Sequence, residues 1–326
     1  MAGLDSELIN YRILFIQPIK KMKKPFYLLL AVLLFSCNSK EKKALEVIPA
    51  KTEEPELMTE LYGSWVGDFV AEERTNTETQ NEMYSNKINI SIKKITSSEV
   101  TGRSIVAGNN RPFTGRMTKK GDKIHFVLNE PGDDKNDGFF ECEIKNDTLL
   151  VGTWTANNPN KEVRKRSFTL SKKEFRYNPY LKLPEEGMYV DYQNPKIEKV
   201  KYEAEETEDA ENIGIENEET EYENTSLYRV ASEKVVTLNS SVQKFTESDL
   251  KNLKKIDLQI LRNTIFARHG LTFKTKTIRQ FFNQVEWYIP MYSNVDDKLT
   301  AVEKQNIAIL KRFEKYAEDN YDSFGR

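Results

Sequence analysis

The hydrophobic period of this sequence changes once, and that change limits the possible folds more than any other feature. Between about residues 62 and 175 apolar and polar side chains alternate, most regularly over residues 88–92. From residue 227 onward apolar side chains instead recur every three or four positions. A strand repeats every two residues and a helix about every 3.6. We therefore predict an all-β domain at residues 58–178, followed by a small all-α domain at residues 227–320.

Turn signals divide the predicted β domain into short strands. Glycine, asparagine and aspartate cluster at residues 108–110, 120–122 and 145–147, as they do in tight connections. Such short connections join antiparallel strands, and the pattern leaves room for about eight of them. We therefore predict an antiparallel meander that closes into a barrel-like sheet, because closure removes exposed edges.

Residues 63–67, Gly-Ser-Trp-Val-Gly, resemble the first strand of lipocalin and avidin-like barrels. The resemblance implies that Trp65 plugs one end of the barrel. It also implies a cavity that binds a small apolar ligand. The alternative is an interior filled with side chains.

The first 36 residues have the layout of a signal peptide. Four lysines fall within residues 20–24, and residues 26–35 are apolar. Ten residues are too few to cross a bilayer, which takes about twenty, whereas a charged head before a short apolar stretch is typical of export signals. We expect residues 1–36 to be removed and the true start to be Met22.

Residues 34–37, Leu-Phe-Ser-Cys, resemble the lipobox of bacterial lipoproteins. The resemblance implies a thioether-linked lipid on Cys37, cleavage before it, and acylation of the freed amine. Two or more acyl chains hold a protein stably on a membrane, so we expect a cell-envelope protein on the outer membrane, facing the periplasm or the surface. A buried cysteine in an ordinary helix is the alternative. Residues 37–57 carry few large apolar side chains, which predicts a disordered tether.

A second segment without a hydrophobic period lies between the two domains. Residues 202–224 carry eleven acidic side chains and no lysine or arginine. Like charges keep such a chain extended, so we predict an acidic linker over residues 179–226, with binding of cations or basic partners as an alternative. The folded parts are mildly basic, which favours anionic wall polymers or lipid headgroups as partners. Nothing in the sequence indicates nucleic acid.

Capping signals bound four predicted helices in the second domain. Thr246 to Asp249 and Thr300 to Glu303 have the spacing of capping boxes, and Asp257 is placed to cap another helix. Gly270 is a typical residue just beyond a helix end.

Four ordered motifs lie in this region: Leu-Arg-Asn at 261–263, Phe-Ala-Arg-His-Gly at 266–270, Trp-Tyr-Ile-Pro at 287–290, and residues 303–306. Together they resemble the YARHG domain, an extracellular module of bacterial proteins named after a Tyr-Ala-Arg-His-Gly motif. The resemblance implies a small helical fold and an extracellular location, but no activity. Phe266 stands where that motif has tyrosine, so any role of the hydroxyl is absent here.

Six motif side chains are candidate binding residues: Arg262, Asn263, Arg268, His269, Trp287 and Tyr288. A histidine catalyst needs an orienting partner and a nucleophile, and no serine or cysteine motif stands near His269. Zinc takes several His, Cys or carboxylate ligands, and the only other histidine is His125. Residues 131–138 suggest a calcium loop, but Lys135 occupies a ligand position. We predict no catalytic site, metal or cofactor; helix capping, ion pairing and packing are the alternative roles.

These features predict a lipid-anchored envelope protein that is not an enzyme and that presents a β domain and a YARHG module to peptidoglycan or to an envelope protein. Two alternatives remain open. One is a carrier of a small apolar ligand inside the barrel. The other is an enzyme that acts on envelope polymers through dispersed carboxylates.

Overall fold

The computed structural model describes residues 54–74, 85–201 and 222–317. The remaining residues, among them the predicted signal peptide and Cys37, lie outside this description. Within the described part, no helix has the length and apolar content needed to cross a membrane.

Eight antiparallel strands follow one another in sequence order and close into a barrel through pairing of the first with the last. This confirms the predicted meander, with tight turns at the predicted positions between the third and fourth, fourth and fifth, and sixth and seventh strands. The strands are β1 Gly63–Arg74, β2 Ser85–Ile95, β3 Val100–Val106, β4 Asn109–Lys120, β5 Lys123–Asn129, β6 Gly138–Lys145, β7 Leu149–Ala156 and β8 Val163–Lys173.

Alternating side chains fill the interior of the barrel. Phe126 in β5 is 0% exposed, whereas its neighbour Val127 is partly exposed. The rings of Phe69, Phe140 and Phe168 pack with centroids 6.5, 6.3 and 6.0 Å apart. Side chains therefore occupy the middle of the barrel, which is the alternative to the ligand cavity that the barrel resemblance implies.

Trp65 packs in the barrel core together with Leu61 from the segment before β1. It is 1% exposed, and its indole Nε1 donates to the carbonyl oxygen of Leu61 over 2.9 Å. Leu61 ends a single 3-10 turn, Thr59–Leu61, and belongs to the barrel core. The segment that precedes β1 therefore provides the hydrogen-bond acceptor for this buried indole.

Two further strands form a separate antiparallel ribbon, β9 Val190–Lys201 and β10 Tyr222–Val230. The sequence predicts an acidic linker over residues 179–226, whereas the structure has β9 and the first part of β10 within that range. Asp191 is fully buried and pairs with Arg229 across the base of the ribbon, which fixes the register there. The acidic run itself falls mostly outside the described residues.

Five helices form the C-terminal module of the described chain. Two of the predicted capping boxes are confirmed: Asp249 accepts from the N–H of Thr246 over 2.8 Å, and Thr300 exchanges hydrogen bonds with Glu303. Asp257 lies within the first turn of its helix rather than at the cap, and it accepts from the N–H of Lys254 over 3.1 Å. The helices are α1 Lys234–Thr237, α2 Glu247–Leu250, α3 Lys255–Arg268, α4 Lys276–Asn283 and α5 Ala301–Glu314.

The helical module packs on the outer face of β1 and β2, within one compact unit. Asn89 in β2 is 0% exposed and donates to the carbonyl oxygen of Pro290 over 2.9 Å. The ammonium of Lys87 donates to the carbonyl oxygen of Val285. These polar residues alternate with aliphatic residues that face the barrel interior, so both faces of β2 are buried.

A pair of neighbouring substitutions tests the barrel register. Phe126→Ala should lower the free energy of unfolding by about 3–5 kcal/mol because it leaves a cavity in the core. Val127→Ala should change it by less than about 1 kcal/mol. Urea unfolding followed by tryptophan fluorescence measures both changes. A larger loss for Val127→Ala would contradict the structure, since a slip of one residue exchanges the two faces of a strand.

Candidate functional site

The histidine of the motif lies in a buried cluster built from three segments. His269 follows α3 and is 3% exposed, and its Nε2 lies 2.8 Å from Oε2 of Glu303 in α5. Tyr177, in the segment after β8, donates its hydroxyl to Oε1 of the same carboxylate over 3.1 Å. The Tyr177 ring stacks on the imidazole with centroids 4.2 Å apart. The cluster therefore ties α3 and α5 to the chain that leaves the barrel.

Glu303 carries the negative charge of this cluster. Burial acts to raise the pKa of Glu303, but hydrogen bonds from His269 and from the N–H of Thr300 outweigh it and lower the pKa to about 2. Burial, and then the charge of Glu303, raise the pKa of Tyr177 to about 12. At neutral pH the cluster thus contains a carboxylate and a neutral phenol that bond to each other. A general acid or base must reach a substrate proton, whereas this carboxylate bonds within the fold.

Arg268 is the other charged residue of the five-residue motif, and it is 2% exposed. Its Nε donates to the carbonyl oxygen of Leu181 over 2.8 Å, and its terminal nitrogens donate to Leu181 and to the Ser241 hydroxyl over 2.6 and 2.9 Å. Burial lowers the pKa of Arg268 to about 10. The guanidinium therefore holds two loops against the end of α3.

Arg262 and Asn263 engage other partners. Arg262 forms an ion pair with Glu314 at the end of α5, with one nitrogen to oxygen distance of 3.0 Å. The amide of Asn263 donates to the carbonyl oxygen of Gln259, one turn earlier in α3, over 2.8 Å. Among the residues that the structure describes, neither side chain forms a hydrogen bond with His269 or Arg268, so these four residues are not joined into one cluster.

Trp287 and Tyr288 differ in exposure. Tyr288 is 3% exposed, packs on Phe273 and Phe282, and donates its hydroxyl to the carbonyl oxygen of Leu271 over 2.7 Å. Trp287 is only partly buried, and its Nε1 donates to the carbonyl oxygen of Lys182 over 2.7 Å. Tyr288 is therefore a core residue, whereas the Trp287 ring remains partly accessible.

A groove runs along the junction between the barrel and the helical module. It consists of two cavities of about 660 and 550 Å³ that share Lys173 and Glu286 in their walls. The ammonium of Lys173 donates to the carbonyl oxygen of Glu286 over 2.9 Å. One cavity extends over β1 to Lys87, and the other extends to Trp287. The groove is therefore formed by both modules together.

The structure brings two of the six candidate residues, Arg268 and Trp287, to the wall of this groove. Sequence analysis missed Lys173, Glu174 and Arg176, which line the same wall. They form a run of charged residues at the end of β8, and such a run gives no signal that distinguishes a groove from solvated surface.

Burial, and then the charge of Lys173, lower the pKa of Lys87 to about 8.

In the loop with a calcium-like sequence, the acidic side chains bind the guanidinium of Arg111. Asp137 is 1% exposed and accepts from the Arg111 guanidinium over 2.9 Å, and Asp133 pairs with the same guanidinium. The backbone N–H of Gly132 also donates to Asp137 over 2.9 Å. In the part of the chain that the structure describes, no group of three or more His, Cys, Asp or Glu side chains is arranged to hold a metal ion.

The cluster of His269, Glu303 and Tyr177 should affect how the free energy of unfolding depends on pH. Glu303→Gln should lower the free energy of unfolding at pH 7 by about 2–4 kcal/mol, because buried partners lose an ionised acceptor. The folded pKa lies below the ordinary value of 4.5, so the wild-type carboxylate contributes stability above that pH and loses it as the pH falls toward 2. The variant should lack this part of the acid dependence.

Urea unfolding between pH 7 and 2 measures the effect. The matched control is Glu247→Gln, whose side chain is 71% exposed and whose surface ion pair should contribute less than about 1 kcal/mol. Equal losses in the two variants would show that the cluster does not stabilise the fold.

Comparison with known proteins identifies one part of the chain. No curated protein and no solved structure is significantly similar to it. Residues 233–315 match the family model of the YARHG domain, and this range contains α1 to α5. The helical module of this chain is therefore a YARHG domain.

Proposed function

We propose that this chain is a lipid-anchored protein of the bacterial cell envelope that binds peptidoglycan and does not catalyse a reaction. The observation that carries the proposal is the groove between the barrel and the YARHG domain. Its two cavities meet at Lys173 and Glu286 and together span the junction, which suits an extended polymer better than a compact small molecule.

The chemistry of the groove fits a glycan strand with short peptides. Trp287 presents a partly accessible indole, and a flat aromatic ring packs on the apolar face of a sugar ring. Arg176 and Glu174 are 79% and 73% exposed, so each can exchange its partner for a carboxylate or an amine of a bound peptide. The groove thus offers one aromatic platform and charges of both signs.

We propose no catalysis because the polar side chains of the motif form their hydrogen bonds inside the protein. His269 and Glu303 bond to each other inside the protein, and Tyr177 completes their contacts. Arg268 lines the groove but directs its donors to Leu181 and Ser241. These groups therefore favour a role in shaping the groove over proton transfer to a bound polymer.

On this proposal a lipid on Cys37 holds the body close to the wall. The predicted tether, residues 37–57, is about twenty residues long, and an extended chain reaches about 3.3 Å per residue. The body would therefore stay within about 70 Å of the outer membrane, near the polymer that the groove binds.

Substitutions in the groove test the binding proposal. Trp287→Ala should weaken binding to purified peptidoglycan sacculi about tenfold or more, because a central aromatic contact commonly contributes about 2 kcal/mol. Trp287 also bonds to Lys182, so Arg176→Glu is a second variant in which the exposed side chain leaves the fold unchanged. Co-sedimentation of the full-length chain, purified in detergent, measures retention on sacculi.

Arg116→Glu is the matched control, since Arg116 is exposed on β4 and lines neither cavity. Loss of retention in both groove variants but not in the control supports the proposal. Equal retention of all four proteins would overturn the groove as the binding site. Retention of an envelope protein, with none on sacculi, would assign the groove to a protein partner instead.

The lipid anchor makes a separate prediction. Cells that express the chain and grow with an alkyne analogue of palmitate should label the wild type, whereas Cys37→Ser should reduce labelling to background. Cys142→Ser is the control, because Cys142 is 2% exposed in the barrel core and is the only other cysteine. Equal labelling of wild type and Cys37→Ser would exclude the anchor.

A further inference from the structure

Two cross-strand neighbours on the outer face of the barrel carry opposite charges. Asp68 in β1 lies directly opposite Lys87 in β2, and both line the larger cavity of the groove, which has a volume of about 660 Å³. The Cβ atoms of such neighbours are about 5 Å apart, so an aspartate and a lysine at these positions would ordinarily form an ion pair. Among the residues that the structure describes, these two form none with each other.

The ammonium of Lys87 bonds to the YARHG domain instead of Asp68. Lys87 is 8% exposed, donates to the carbonyl oxygen of Val285, and lies with its ammonium 6.0 Å from the centroid of the Tyr288 ring. An ammonium has three N–H donors, and this one forms a single hydrogen bond within residues 54–74, 85–201 and 222–317. Two donors therefore remain for an acceptor that enters the cavity.

The acids near Lys87 do not neutralise its charge. Burial, and then the charge of Lys173, lower the pKa of Lys87. The charges of Asp68 and Glu286 act in the opposite direction but are outweighed. Asp68 is exposed and the Glu286 side chain is 94% exposed, so water screens both carboxylates. A buried ammonium without a counter-ion is unfavourable, and a bound carboxylate would compensate it.

The remaining walls offer few competing polar groups. Thr169 in β8 lies opposite Asp68 on the side away from Lys87, so these three residues form one row across three strands. Gln280 and Gln284 of α4 line the cavity, but each donates its amide N–H to a backbone carbonyl oxygen. The separated charges of Lys87 and Asp68 are therefore the groups that select a ligand here.

We propose that this cavity binds the free end of a diamino dicarboxylic acid in a peptidoglycan stem peptide, where one carbon carries both an ammonium and a carboxylate. The carboxylate would accept from Lys87, and the ammonium would lie at Asp68. The inference rests on the proposed function, because the polymer supplies this zwitterion. The two cavities meet at Lys173 and Glu286, so a glycan strand on Trp287 would direct its peptide toward this cavity.

Titration calorimetry on the full-length chain in detergent tests the proposal with three compounds that share one carbon chain. Diaminopimelate has an ammonium and a carboxylate at each end, pimelate keeps only the carboxylates, and cadaverine keeps only the ammoniums. We expect diaminopimelate to bind at least about tenfold more tightly than either, because it alone satisfies both charges of the site. Equal binding of pimelate or of cadaverine, or no binding of diaminopimelate, would overturn the proposal.

Variants assign the two contacts. Asp68→Asn should weaken binding of diaminopimelate at least about tenfold, to the level of pimelate, because only the ammonium contact is lost. Lys87→Met should weaken both diaminopimelate and pimelate, and circular dichroism establishes that it is folded. Asp122→Asn is the matched control, since Asp122 is exposed in the turn between β4 and β5 and lines neither cavity of the groove. Unchanged affinity of Asp68→Asn for diaminopimelate would overturn the assignment even if Lys87→Met does not fold.

Retention on sacculi separates this inference from the proposed function. A wild-type chain that is retained on sacculi but does not bind diaminopimelate would overturn the zwitterion site and leave the groove as a peptidoglycan site. A wild-type chain that binds diaminopimelate but is not retained would overturn the proposed function, and with it the peptide as the source of the ligand.

Discussion

The burial of β2 on both of its faces is the constraint from which the rest of the described body follows. Its aliphatic residues close the barrel, while Lys87 and Asn89 on the other face bond to carbonyl oxygens of Val285 and Pro290. Buried polar groups without partners are costly, so these donors fix the height and angle at which the YARHG domain lies on the sheet. The groove results from that fixed position, because it takes wall residues from both modules.

The sequence predicted the barrel well because a barrel of hairpins is specified locally. Each strand alternates over its own length, each tight turn has its glycine or asparagine, and neighbours in sequence are neighbours in the sheet. The ribbon of β9 and β10 was missed for the opposite reason. Its strands pair across a long acidic segment, and side chains such as Ile197 and Leu227 are 57% and 45% exposed, so no buried face produces a clear period.

The candidate site was predictable only in part. The motif pointed to His269 and Arg268, and the capping box pointed to Glu303, but nothing in the sequence indicated that His269 and Glu303 meet. Tyr177 joins them from outside the YARHG domain, and no local signal marks such a residue. Lys173 and Arg176 form part of a groove only because the helical module lies beside β8, which is a property of the packing between domains.

Three of the motif side chains bond mainly within the fold. Arg268, His269 and Tyr288 are each at most 3% exposed, and their hydrogen bonds end on carbonyls, hydroxyls and a carboxylate inside the fold. Charged groups buried in this way stabilise one arrangement of the loops, since any other leaves them unpaired. On the proposed function, recognition would instead rest on the more exposed side chains of the groove, Trp287 and Arg176.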